Sequence, residues 1–153
     1  MGLLQQVGFG VRFYLGLGAP AERSRYPECC TRAARGYSTE LVRTLHAIYL
    51  GKAAVEAGTL ERVNFRCGRI TLAGEPGEFF FKEFPRHHAA HDLERRLRLS
   101  RVDRAWRAAH LLPNLGMLTP RAVGTVTRAD TGGGIMEYLA TEWLPGGLPF
   151  PRA

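Results

Sequence analysis

The segment Gly77–Phe84, GEFFFKEF, sets one lysine among phenylalanines. Side chains of a strand alternate between its faces, so Lys82 shares a face with Phe80 and Phe84, while Phe79, Phe81 and Glu83 take the other. A cation in such a place either lays its methylenes along apolar neighbours with the ammonium in water, or reaches for an anion. A second candidate is the run Arg95, Arg96, Arg98, Arg101, Arg104 and Arg107, opposed only by Asp103. Such a run is a solvated helix face or an attractor of phosphate-bearing partners. His87 and His91 stand one helical turn apart, a spacing that can bind a metal with Asp92 as a third ligand, but exposed histidines after the Pro85 turn are the preferred reading. Cys29, Cys30 and Cys67 lack the paired spacing of structural zinc. Their odd number also fits no secreted disulfide framework, so a reducing compartment and no metal site are expected.

A chain of 153 residues, 45% hydrophobic, has apolar surface for one core. Its formal charge of +7 favours acidic partners: nucleotide phosphate, nucleic acid or an anionic lipid surface. The opening MGLLQQVGFGVRFYLGLGAPA is interrupted by Gln5, Gln6 and Arg12, which a spanning helix would exclude. It lacks the basic start of a signal peptide, and Gln6 stands where myristoylation needs Ser or Thr. A soluble or membrane-surface protein is therefore expected. Residues 1–36 show no sustained period and read as an extension. A helix is expected over 39–57, with Thr39 as N-cap, Leu41, Leu45, Ile48 and Tyr49 on one stripe, Gly51 as its weak point and Gly58 as its stop.

After it, LERVNFRCGRITLAGEPGEFFFKEF reads as antiparallel strands with turns at Cys67–Arg69 and Ala73–Gly77. A second helix opens at Ser100 and carries Val102, Ala105, Trp106, Ala109 and Leu112 on one face, so Trp106 should pack on the sheet. Pro113 and Gly116 end it, and two more strands flank the turn at 130–134. The expected class is α+β, with an antiparallel sheet of about five strands covered by one helix. Residues 1–58 would form a partly helical extension, 59–147 the main unit and 148–153 a short tail.

In order and spacing, FFFKEF, RRLRLSRVDRAWRAAHLL, NLGMLTPRAVG and YLATEWLPGG resemble the small lobe of protein-kinase-like enzymes, and more closely the lipopolysaccharide kinases that phosphorylate Kdo or heptose sugars on lipid A. The resemblance spans Gly77 to Gly147. It implies that Lys82 bridges the α- and β-phosphates of ATP. It also implies that Thr141 closes the back of the adenine pocket, that the Glu142 carbonyl accepts from the adenine amino group and that the Leu144 amide donates to the ring. Arg95, Arg96, Arg98 and Arg101 would then face a phosphorylated lipid A substrate at an anionic membrane surface. The localisation implied is cytoplasmic, peripheral at the inner membrane.

The sequence departs from that family in three places. The helix after the lysine strand has Ala105, Arg107 and Ala108 where an acid should hold Lys82, leaving Asp103 and Glu94 as the acids near in sequence. Gly68, Gly74 and Gly77 do not compose the phosphate-covering G-x-G-x-x-G loop. The catalytic aspartate and the Mg²⁺ ligands belong to a large lobe beyond the hinge, so no catalytic or metal-binding residue is expected within these 153 residues, which should be inactive alone. Apolar surface facing that lobe would then favour self-association. The alternative is a non-enzymatic basic module for nucleic acid or anionic membrane, although the aromatic interleaving of nucleic-acid binders is lacking.

Overall fold

In the computed structural model, residues 21–84, 100–129 and 134–145 are described. Burial along β5 (Glu78–Phe84) alternates as its sequence requires: Phe79 and Phe81 are buried and Lys82 is exposed. This strand is not at an edge. It pairs with β4 (Cys67–Leu72) on one side and β7 (Ile135–Glu142) on the other, within one antiparallel sheet of order β1-β2-β6-β7-β5-β4-β3. The remaining strands are β1 (Ala21–Arg25), β2 (Cys30–Ala34), β3 (Gly58–Asn64) and β6 (Ala122–Ala129).

The class is α+β, with seven strands where about five were expected from the sequence. The difference lies before residue 36. Ala21–Arg25 and Cys30–Ala34 form a hairpin whose second strand pairs with β6, so from Ala21 onward the expected extension belongs to the sheet. Its strands escape a reading by pattern because AERSR and CTRAA are short, polar or small, and carry no apolar alternation.

Helix α1 (Thr39–Tyr49) is capped by Ser38, whose Oγ accepts from the Leu41 amide, one residue before the expected Thr39 cap. It ends at Tyr49 rather than continuing to residue 57, because Gly51 takes a φ of 67° that reverses the chain. Val42, Leu45, Ile48 and Tyr49 are buried against Ile70, Phe79, Phe81, Val123, Val126 and Tyr138. Each such side chain contributes about 1.5–3 kcal/mol on full burial. The helix sits close to β6 at Gly124, where a Cβ would come within 2.3 Å of Val42 Cγ2 and 2.6 Å of the Arg32 carbonyl oxygen.

Helix α2 (Arg101–Leu111) opens at Ser100, whose Oγ accepts from the Asp103 amide, as its sequence implies. Val102 and Trp106 are buried with Ala34, Ala122 and Leu139, on the sheet face opposite α1. Arg32 of β2 fastens this layer: its guanidinium lies 4.5 Å from the Trp106 ring centroid and donates to Asp103 Oδ1 at 3.0 Å, while its Nε donates to Thr125 Oγ1. The expected turn at Cys67–Arg69 lies earlier, at Phe65–Arg66. There the Asn64 side-chain oxygen accepts from the Arg66 amide at 2.8 Å, and Cys67–Leu72 is strand. No described helix is long and apolar enough to cross a membrane.

Candidate functional site

Directly opposite residues of paired strands point to one face of a sheet. Lys82 stands opposite Leu139 and Cys67, and Phe80 stands opposite Thr141 and Arg69. Leu139 packs under α2, so Lys82, Phe80, Thr141 and Arg69 all project to the α2 face. That helix packs on β6 and β7, and Phe80, Lys82 and Arg69 lie beyond it on β5 and β4.

Among the described residues, the part of this face beyond α2 has three ingredients. The Phe80 and Trp143 rings lie 5.8 Å apart between centroids, and the Arg69 guanidinium sits 5.6 Å from the Trp143 ring. Lys82 Nζ lies 5.3 Å from the Phe84 ring centroid. Among the described residues it makes no ion pair. The hairpin between β3 and β4 flanks it, with Phe65 exposed at the tip and the Arg66 carbonyl accepting from the Glu83 amide at 2.8 Å.

Thr141 is buried at the end of β7, between Phe80 and Ala122 in register. The Glu142 amide donates to the Arg121 carbonyl, and the Trp143 amide to Glu78. The Leu144 amide donates to no described residue. The Glu142 carboxylate is committed elsewhere: it accepts from the Tyr37 hydroxyl and lies 3.7 Å from Arg121 Nη1. Burial and this bond push the Tyr37 pKa up to about 12. Glu142 and Trp143 also line a cavity of about 560 Å³ with Tyr37, Leu41, Pro76 and Phe79, which does not include Lys82.

Of the residues singled out from sequence, the structure places Lys82 on β5 and Thr141 and Glu142 on the adjoining β7, with Leu144 two residues past the end of β7. Arg101 is exposed on the first turn of α2, and Arg104 is exposed one turn on. Arg95, Arg96, Arg98, Glu94, His87, His88, His91 and Asp92 lie outside the described residues. Asp103 does not serve Lys82, since it pairs with Arg32 and accepts from Ser100 Oγ. Glu137, missed from sequence, stands diagonal to Lys82 on β7, and only the strand register reveals it. Gly68 is glycine for packing rather than for phosphate: a Cβ there would meet Leu60 Cδ1 at 2.6 Å and the Glu61 oxygen at 3.0 Å. Among the described residues there is no group of three or more His, Cys, Asp or Glu side chains able to hold a metal ion.

Leu115, Met117 and Leu118, which follow α2, are exposed, as are Val63 and Phe65. No family model, curated protein or solved structure matches the chain. Its class is accordingly defined by architecture: an α+β protein whose described residues form one antiparallel seven-stranded sheet with a helix on each face.

Proposed function

We propose that this chain is the nucleotide-holding small lobe of an ATP-dependent phosphotransferase resembling the lipopolysaccharide Kdo and heptose kinases. The observation that carries the reading is the projection of Lys82 and Thr141 from two hydrogen-bonded neighbouring strands onto the face that α2 covers in part. Kinases carry their phosphate-positioning lysine on the third strand of this lobe. Here β3, β4 and β5 form a meander of which the lysine strand is the third, and among the described elements a helix follows, then β6, then β7, which leads to 141–144.

The residues present fit part of what a nucleotide requires. Phe80 and Trp143 offer a planar apolar surface to a base, the Leu144 amide a donor and Lys82 positive charge for phosphate, while Arg69 is engaged by Glu61 and Glu78. Bound ATP would supply the transferable phosphoryl group. The residue that does not fit is the missing helix acid, because Asp103 is taken by Arg32. The aspartate that accepts the hydroxyl proton and the ligands of Mg²⁺ stand beyond the hinge in kinases, so the reading assigns both to a second lobe. The exposed Leu115, Met117 and Leu118 suit such a covering lobe, or self-association without it. A phosphorylated lipid A acceptor at the cytoplasmic membrane surface remains the substrate class the family likeness implies.

The alternative of a basic module for nucleic acid or anionic membrane is favoured by the exposed Arg101 and Arg104 and the charge of +7. Titrating ATP while following tryptophan fluorescence, with Lys82→Ala as the comparison, separates the two. The kinase reading expects saturable quenching that weakens at least tenfold in the variant. Equal ATP affinity in both proteins, alongside salt-sensitive binding to duplex or acidic vesicles, would leave the basic module standing.

A further inference from the structure

The side of α2 that faces away from the sheet changes character along its length. Steps of three and four residues set Arg101, Arg104 and Ala108 on that side, opposite the buried Val102 and Trp106. The same line runs on through the 3₁₀ turn Leu112–Leu115 that continues the helix. It begins with exposed guanidinium groups and ends in open apolar side chains: Leu115 is 58% exposed, Met117 55% and Leu118 93%. Apolar side chains exposed singly need no explanation, whereas a contiguous run of them marks a surface that something covers in use.

Charge and backbone say what covers it. No Asp or Glu occurs between Asp103 and Asp130, and Asp103 itself is turned to Arg32. The surface therefore suits a partner that is anionic beside the helix start and apolar beside its end. The backbone of the turn is satisfied from within. Pro113 has no amide hydrogen, and the Leu112 amide donates to the Ala108 carbonyl. Gly116, at a φ of 75°, reverses the chain so that its amide donates to Pro113 at 3.1 Å and the Met117 amide to Leu112 at 3.0 Å. The Asn114 side chain donates to the His110 carbonyl at 2.6 Å. These donors can leave water without being stranded, which is what hydrocarbon demands.

We propose that the end of this segment, residues 112–118, enters the interface of an anionic bilayer, with Leu115, Met117 and Leu118 among the upper acyl chains and Arg101 and Arg104 against lipid phosphates. From Arg104 to Leu115 the segment runs about 16 Å at about 1.5 Å per residue. Interfacial segments reach about 5–10 Å into the boundary between headgroups and chains. The helix therefore lies inclined, its C-terminal end lower, and the arginines stay at headgroup level. No described helix is long and apolar enough to cross a membrane, and this contact needs none. The inference does not rest on the nucleotide reading. A covering lobe, a second copy or a nucleic acid would compete for parts of the same surface, but a nucleic acid would use the arginines and not the leucines.

The test sediments the full chain with vesicles of phosphatidylcholine alone and of phosphatidylcholine mixed with phosphatidylglycerol. Partition onto the mixed vesicles is expected to exceed that onto the neutral ones at least tenfold and to weaken with salt. Met117→Ser combined with Leu118→Ser changes no charge and should lower it at least fivefold with little change in the urea midpoint. Arg101→Gln combined with Arg104→Gln should also lower it at least fivefold. Leu118→Trp should be quenched by lipids brominated on the acyl chains, beyond the quenching of the unsubstituted chain. Vesicle binding that the serine variant leaves intact would mean a purely electrostatic contact. Self-association that it abolishes, without vesicle binding, would give the face to a second copy, and duplex binding indifferent to it, again without vesicle binding, would give the arginines to nucleic acid. Each of these results, or equal partition onto both vesicles, would overturn the proposal.

Discussion

Phe80 and Phe81 are neighbours on one strand, yet they meet different surroundings. Phe81 has no exposed surface and packs against Tyr49 at 5.0 Å and Tyr138 at 5.6 Å beneath α1. Phe80 is half-buried beside Trp143, on the face where α2 stops short. The α1 face is closed by a full helix and an aromatic cluster, and it carries the stability of the sheet. Among the described residues, α2 covers this face over β6 and β7 and leaves β5 and β4, where the aromatic pair gathers with Lys82, which makes no ion pair to any of them. An open apolar and cationic strip next to a sealed core is where a ligand or a second lobe can bind without disturbing the fold.

The widest separation between the two faces should come from a pair of truncations. Phe81→Ala is expected to cost about 3–5 kcal/mol in urea unfolding, and Phe80→Ala under about 1 kcal/mol. Equal costs would erase the distinction drawn here.

Acid should act through the closed face next. Burial, then Arg128 and Lys52, hold the pKa of His46 at about 4 in the folded chain, below the ordinary 6.5. As pH falls, the unfolded chain therefore takes up the proton first. The contribution of the neutral ring is full above about pH 6.5 and is lost toward pH 4, amounting to about 3 kcal/mol in all. Urea midpoints measured between pH 7 and pH 4 should show this slope, and His46→Gln should lose it.

A smaller effect is expected from Gly124→Ala, whose new methyl would collide with Val42 and with the Arg32 carbonyl. Overpacking of this kind costs about 1–3 kcal/mol. A neutral result in thermal unfolding would mean that α1 can rise off the sheet. Lys82→Ala should change stability least, by under about 0.5 kcal/mol, because the side chain is exposed and makes no ion pair among the described residues. A large loss of stability there would show that the lysine is structural and would remove it from the ligand strip.

The sequence made the central strand and its two faces legible because FFFKEF alternates against a single charge, and it made α2 legible because Ser100 and Trp106 mark its start and its inner face. It did not reveal β1 and β2, whose polar and small residues become sheet only because β6 offers them a partner edge. Nor did it reveal that Asp103 belongs to Arg32, 71 residues earlier in the chain, which removes the one described helix acid from Lys82. Of the candidate site, Lys82 and Thr141 could be placed on one face once the strands were paired. The buried Nε2 of His46, without a hydrogen-bond partner among the described residues, left no trace in the pattern, since a histidine on an apolar helix stripe reads as ordinary core.

Arg32 holds α2 by its first two turns, through Asp103 and Trp106. A rod of 11 residues pinned near one tip behaves as a lever. At about 1.5 Å per residue Leu111 lies about 12 Å along the axis from Asp103, so a tilt of about 10° about that anchor carries it about 2 Å. Small rotations at the guanidinium are thereby magnified toward Leu111, and whatever binds that end of the helix gains leverage over how wide the strip beside Lys82 stands.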